Sequence, residues 1–219
     1  MSNPLALRPY DLTGRRILLT GAAGGIGRAT ARLCAALGAE LVLTDRAAAS
    51  DLMDGLETGG RSHRFLACDV TSRSDIDALC AAAGPIDCAV LNAGIFPTSA
   101  WSEERWEDDF DAVMTVNVRA PAQFARALLP GMKARGQGRI VLMGSVAAHT
   151  GGSYAHSPLP YAASKGAVHT MVRWLAKRAA PEVLVNGVAP GSVRTAMTAS
   201  ADPNALKAMP VPRFGEPEE

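Results

Sequence analysis

A short apolar run, RILLT at residues 16–20, leads without a spacer into GAAGGIG and then into a helical pattern. Few folds accommodate this order. The glycines Gly21, Gly25 and Gly27 permit backbone angles that other residues avoid, and they let the chain approach a ligand closely. The helix that follows would offer unpaired N–H groups and the positive end of its dipole to a pyrophosphate, with Ile26 between the last two glycines. A plain glycine turn is the alternative. Its place after the first strand and before the first helix favours a dinucleotide site. The spacing is not GxGxxG, and no GK[ST] follows as in a P-loop.

The alternation continues along the chain. Apolar runs at 40–44, 64–67, 86–91, 139–144 and 183–188 have the near-continuous character of strands buried on both faces. Amphipathic segments lie between them. Ile26, Ala29, Leu33, Cys34 and Leu37 follow helical spacing, and Gly38 ends that helix. Ser72 is placed to cap a helix carrying Ile76, Leu79 and Cys80. Repeated βα units predict an α/β fold, a doubly wound parallel sheet with helices on both faces and right-handed crossovers. With no repeat, low-complexity tract or linker, residues 1–219 read as one domain.

Composition excludes several functions. The 22 basic and 21 acidic residues leave a net charge of +1, which favours neither nucleic acid nor an anionic membrane. Aromatic residues are only 5%, too few for an evident base-stacking surface. No apolar stretch is long enough to span a bilayer. The N-terminal MSNPLALRPY lacks the charged start and apolar run of a signal peptide. Cys34, Cys68, Cys80 and Cys88 form no CxxC pair, and Cys34 and Cys80 read as buried thiols. A reducing, cytoplasmic setting is expected. His63, His149, His156 and His169 lack ligand spacing, so no metal is expected.

Two further features carry chemistry. The second strand ends LVLTDR, which places Asp45 at its tip. A carboxylate there accepts from adenosine ribose hydroxyls and repels a 2′-phosphate, favouring NAD over NADP. The neighbouring Arg46 pulls the other way, because a guanidinium can pair with a phosphate. Asp45 is otherwise a polar strand end. The segment YAASK sets Tyr161 and Lys165 one helical turn apart on one face. An adjacent ammonium favours the phenolate, so the tyrosine pKa is expected to fall toward neutrality. That would make it a usable proton donor or acceptor. No GxSxG elbow supports a serine hydrolase.

Ordered motifs extend the reading: TGAAGGIG at 20–27, CDV at 68–70, NAG at 92–94, Asn117 in VNV, Ser145 in GSVAA, YAASK at 161–165 and PGSVRT at 190–195. Together they resemble the short-chain dehydrogenase/reductase family, of the single-domain Rossmann type similar to ketoacyl reductases, from about Leu12 onward. The resemblance implies a catalytic set of Asn117, Ser145, Tyr161 and Lys165. It implies that Asp69 and Val70 flank adenine, the Asp69 carboxylate accepting from its amino group, although Asp69 also reads as a helix cap. Asn92, Ala93 and Gly94 would lie along the cofactor ribose. Pro190, Gly191, Val193 and Thr195 would hold the nicotinamide carboxamide. Lys165 would also bind the nicotinamide ribose, and Ser145 would orient the substrate oxygen.

Asn117 shares a helical stripe with Trp106, Phe110 and Val113, which read as core. It is either a satisfied core amide or, as the resemblance implies, the holder of a water that contacts Lys165. The implied activity is hydride transfer between NAD(H) and a small-molecule secondary alcohol or carbonyl compound, by a homodimer or homotetramer. An NADPH-dependent ketoacyl reductase and a non-catalytic nucleotide-binding paralogue are the alternatives.

Two departures from the family stand out. The stretch from Ser145 to Tyr161 is slightly long and contains Tyr154, which lacks a lysine one turn on because position 158 is Pro. The chain also stops at RFGEPEE, before the family's last helix and seventh strand, so six strands are expected. Specificity is expected around residues 95–106, 145–161 and 196–212, where Trp101, Leu159, Met197 and Met209 suggest an apolar pocket. No charged residue stands out as a clamp for a substrate carboxylate, and Arg194 is the one left open.

Overall fold

The structure is a computed structural model, and it describes residues 10–47, 51–56, 59–97, 99–152, 158–199, 203–208 and 211–219. Tyr154, His156 and Met209 lie outside them. Six parallel strands form one sheet: β1 (Arg16–Thr20), β2 (Glu40–Thr44), β3 (Arg64–Phe65), β4 (Cys88–Leu91), β5 (Gly138–Met143) and β6 (Val183–Val188), in the order β3-β2-β1-β4-β5-β6. The chain reverses direction across the sheet between β1 and β4, which leaves a crevice at their C-terminal ends.

Alternation within each strand builds the two faces. Leu18 and Val42 join the core shared with α2 (Arg73–Ala83), α4 (Ala120–Ala134) and α6 (Leu159–Ala179). Ile17, Leu19, Leu41 and Leu43 join the core beneath α1 (Gly25–Ala36). Both faces of β1 and β2 are therefore buried, which is why their apolar runs are almost unbroken, whereas β6 buries Val183 and Val185 and leaves Leu184 and Val188 exposed.

Local details differ from the sequence expectation for physical reasons. Leu33 is 59% exposed, so α1 packs through Ala29, Ala31 and Ala35 instead. Small residues let that helix approach the sheet closely. β4 starts at Cys88, two residues late, because Asp87 Oδ2 accepts from the Arg16 N–H at 2.9 Å and Arg135 donates to the Ile86 carbonyl. Ser72 caps α2 as expected, accepting from the Asp75 N–H at 3.2 Å, a contact worth about 1 kcal/mol.

The helix carrying Asn117 is interrupted. α3 (Trp106–Met114) passes into a π-helical turn, Thr115–Arg119, before α4 begins. Trp106 and Phe110 are not core residues. They are half-buried and form an aromatic row with Trp101, at centroid spacings of 5.0 and 5.4 Å. Val113 and Asn117 are buried. A short helix, α5 (Ala147–Thr150), follows the loop that carries Ser145.

Candidate active site

The glycine turn closes as its spacing implies. Gly21 has φ +66°. A side chain on Gly27 would run into the Gly21 carbonyl, and one on Gly25 would meet Thr195 Cγ2 at 2.8 Å. The turn and the 190–195 segment thus approach each other with no room for a Cβ. No side chain caps the start of α1. Its first N–H groups are left to an external acceptor, which fits an anionic dinucleotide.

The ends of β1 and β4 are stitched together beside that turn. Thr20 Oγ1 accepts from the N–H groups of Asn92 and Ala93, both at 3.0 Å. Asn92 Nδ2 donates to the carbonyls of Thr20 and Gly21 at 3.1 and 3.0 Å. Asp45 closes the turn from the other side. Its carboxylate accepts from the Ala23 N–H at 3.0 Å and the Arg46 N–H at 2.8 Å. Asp69 accepts from the N–H and hydroxyl of Thr71, so it shapes the loop before α2 while Ser72 does the capping. Those bonds hold its carboxyl below the usual range. Val70 is half-buried beside it.

Ser145, Tyr161 and Lys165 meet at the C-terminal edge of β5. Strand β5 delivers Ser145 to that edge, and α6 brings Tyr161 and Lys165 over it. Tyr161 hydrogen-bonds Ser145 through its side chain, and its ring packs on Phe96 at 4.8 Å. Lys165 is 3% exposed, and its Nζ donates to the Met143 carbonyl at 2.8 Å. The ammonium stands 5.4 Å from the tyrosine ring centre.

Burial dominates both groups. It pushes the Tyr161 phenol up, against the opposing effect of Ser145, and it lowers Lys165 to about 8. The lowering expected for Tyr161 from its spacing to Lys165 does not appear in the free protein. Desolvation outweighs the ammonium, which is anchored on the sheet.

Asn117 is a fully engaged amide. Its Oδ1 accepts from the Ile95 N–H at 2.9 Å, while Nδ2 donates to the Ile95 carbonyl at 3.0 Å and to Ser164 Oγ at 3.1 Å. Ser164 in turn donates to the Tyr161 carbonyl at 2.7 Å. Asn117 therefore ties the segment after β4 to α6. A Cβ on Gly94 would sit 3.3 Å from Asn117 Oδ1 and 3.7 Å from Lys165 Nζ.

The rest of the crevice is framed by the 190–195 segment. The Pro190 carbonyl accepts from the Val146 N–H at 3.1 Å. Val193 bridges to Gly215, and Gly191 is exposed. Arg194 is committed to Glu216 at 3.0 Å, which leaves it poorly placed as a carboxylate clamp. Trp101, Leu159 and Met197 are exposed. His149 and His169, far apart in sequence, meet with ring centroids 4.8 Å apart beside Gly144. Sequence reasoning missed Thr20, Phe96, Met143 and Ser164. The buried hydroxyl of Thr20 on an otherwise apolar strand, and Ser164 within YAASK, were the available signals.

Comparison with known proteins agrees with this arrangement. The family model described as short chain dehydrogenase matches residues 15–205. Oxidoreductase UcpA of Salmonella typhimurium is 36% identical over 95% of this chain and 85% of its own. The 3-oxoacyl-[acyl-carrier-protein] reductase FabG of Vibrio cholerae is 33% identical over 95% and 87%. Among solved structures, a candidate NAD(P)-dependent gluconate 5-dehydrogenase from Beutenbergia cavernae, with NADP bound at low occupancy, is 34% identical. It superposes with a TM-score of 0.86, covering 96% of this chain and 87% of that one. Glycine turn, sheet order and matched length lead to one conclusion: the chain belongs to the short chain dehydrogenase family, the NAD(P)-dependent dehydrogenases and reductases.

Proposed function

We propose that this protein oxidises a secondary alcohol, or reduces the matching carbonyl compound, with NAD(H) and with Tyr161 as the acid/base. The supporting observation is the meeting of Tyr161, Ser145 and Lys165 at the edge of β5, next to the crevice. Gly21, Gly25, Ile26 and Gly27 would hold the pyrophosphate, and Asp45, with Arg46 beside it, the adenosine ribose. Asp69 and Val70 would flank adenine. Asn92, Ala93, Gly94, Pro190, Gly191, Val193 and Thr195 would line the nicotinamide half. A bound dinucleotide supplies or accepts the hydride.

The protein's own groups handle the substrate oxygen and its proton. Ser145 Oγ donates to the oxygen and orients it. Tyr161 takes the hydroxyl proton in oxidation and gives it in reduction. Lys165 holds positive charge beside the phenol, favouring the phenolate as it forms. A water held by Asn117 and contacting Lys165, as the family resemblance implies, would carry the proton outward.

NAD is favoured by the Asp45 carboxylate, fixed by two backbone donors at the tip of β2. The NADP held by the Beutenbergia cavernae protein supports an NADPH-dependent reductase as the second reading. Initial rates on a panel of alcohols, ketones, aldehydes and keto-esters with each dinucleotide separate them. Faster turnover with NAD(H) is expected, and a preference for NADP would sink the Asp45 argument. The four unpaired cysteines support a reducing, cytoplasmic setting, and the family resemblance a homodimer or homotetramer.

A further inference from the structure

Ala23, in the middle of the glycine turn, is gripped at both ends of its backbone. Its N–H donates to Asp45 Oδ2 at 3.0 Å, and its carbonyl accepts from Arg28 Nε at 2.9 Å. Arg28 therefore sits one residue's breadth from the carboxylate at the tip of β2. Only one of its nitrogens serves the turn. Nη1 and Nη2 form a two-pronged pair with Asp51, at 3.0 and 2.9 Å.

This pair is asymmetric. The Arg28 side chain is 25% exposed and pinned, whereas the Asp51 side chain is 68% exposed on the segment after β2. Arg28, aided by Arg32, holds the Asp51 carboxyl below its usual range. The charge of Arg46, the next cation along, is felt by Asp69. Of these cations, Arg28 has its guanidinium edge paired with an acid. A guanidinium edge is the side-chain group best matched to a phosphate, through two parallel hydrogen bonds. Here that edge is already taken by Asp51.

We propose that Asp51 is a second determinant of dinucleotide choice, acting through Arg28: it occupies the guanidinium edge that would otherwise receive a 2′-phosphate. This rests on the reading that the glycine turn and Asp45 hold the adenosine ribose. The two acids work differently. Asp45 disfavours the phosphate by like charge. Asp51 disfavours it by withdrawing the nearest pinned fork of donors.

The test is equilibrium binding to the full chain, by calorimetry or fluorescence, of NAD⁺, NADP⁺, AMP and adenosine 2′,5′-bisphosphate. In Asp51→Asn, the two ligands carrying a 2′-phosphate should tighten about three- to tenfold, as expected for a charge-assisted pair in a partly exposed site. NAD⁺ and AMP should stay within about twofold, since neither presents a phosphate at that position. The gain should shrink in high salt and vanish on adding Arg28→Gln. Asp51→Ser, with melting temperatures of all variants, guards against a folding defect.

Equal changes for ligands with and without the 2′-phosphate would mean that the pair only pins the segment after β2, and would overturn the proposal. So would a gain that survives Arg28→Gln. If the parent protein binds none of the four ligands, the adenosine-site reading itself fails and the proposal falls with it.

Discussion

Lys165 reaches past its helical neighbour Tyr161 and donates to the last carbonyl of β5, that of Met143, at 2.8 Å. The ammonium so anchored stands 5.4 Å from the centre of the Tyr161 ring. Burial, opposed by the Ser145 hydrogen bond, pushes the phenol of the free protein up.

In the free protein, Tyr161 should therefore ionise above the ordinary tyrosine value of 10. Ultraviolet difference titration of the parent protein against Tyr161→Phe isolates this one phenol. An ionisation below 10 without cofactor would contradict the burial argument. A fall on adding NAD⁺ is expected, because the nicotinamide end carries positive charge.

Tyr161→Phe should lower turnover about 10²–10⁴-fold, the usual worth of a placed acid or base. NADH binding, followed by fluorescence, should change little, since the ring and its contact with Phe96 remain. Substantial residual turnover would remove Tyr161 from the proton-transfer role.

Lys165→Met should stabilise the protein near neutrality while abolishing activity. The folded-state pKa of about 8 lies below the 10.5 of an unperturbed lysine. Between those values the unfolded chain binds more protons, so parent stability rises with pH across that window, by about 3 kcal/mol in all. Below about 8 that contribution is absent, because the buried group is then charged. Denaturant midpoints at neutral pH and near pH 10 test this. The variant should gain at neutral pH and should lack the rise.

Asn117→Ala should cost about 1–3 kcal/mol, since it removes the side-chain partner of the part-buried Ile95 N–H and carbonyl and frees the buried Ser164. Ser164→Ala, which removes one of these links, should cost less. Urea unfolding of both variants gives the comparison. An Asn117 variant of parent stability would show that the amide does not tie the segment after β4 to α6.

Two glycines should respond in opposite directions. Gly27→Ala would press a Cβ into the Gly21 carbonyl, which fixed backbone cannot relieve, so loss of folding or of dinucleotide binding is expected. Gly166→Ala, within α6 and with nothing within 4 Å, should stabilise by about 0.5–1 kcal/mol through helix propensity. Melting temperatures decide both.

Much of this architecture is legible in the chain because burial leaves a plain signature, on both faces of β1 and β2 and through Val183 and Val185 in β6. The runs at 16–20, 40–44 and 183–188 coincide with β1, β2 and β6. Sequence is weaker where a side chain replaces a ladder bond, as Asp87 does ahead of β4. It is also weaker where the helix changes pitch, as at Thr115–Arg119, since a π turn leaves no periodic mark. Candidate site residues could be named, and the structure brings Ser145, Tyr161 and Lys165 together. Their electrostatics could not be read the same way. Spacing alone places an ammonium near Tyr161, but only the fold shows that Lys165 is buried and bound to Met143. The Arg28–Asp51 pair was equally hidden, because nothing local links residues so far apart.

Thr20 has a consequence for how the protein meets its ligands. One hydroxyl, 1% exposed, fastens two successive backbone amides of the neighbouring strand's exit. The floor of the crevice is therefore preorganised, and docking there freezes few additional degrees of freedom. Any adjustment to a ligand is then left to the rims around that floor. Different substrates can be accommodated by changing those rims while the floor keeps its geometry.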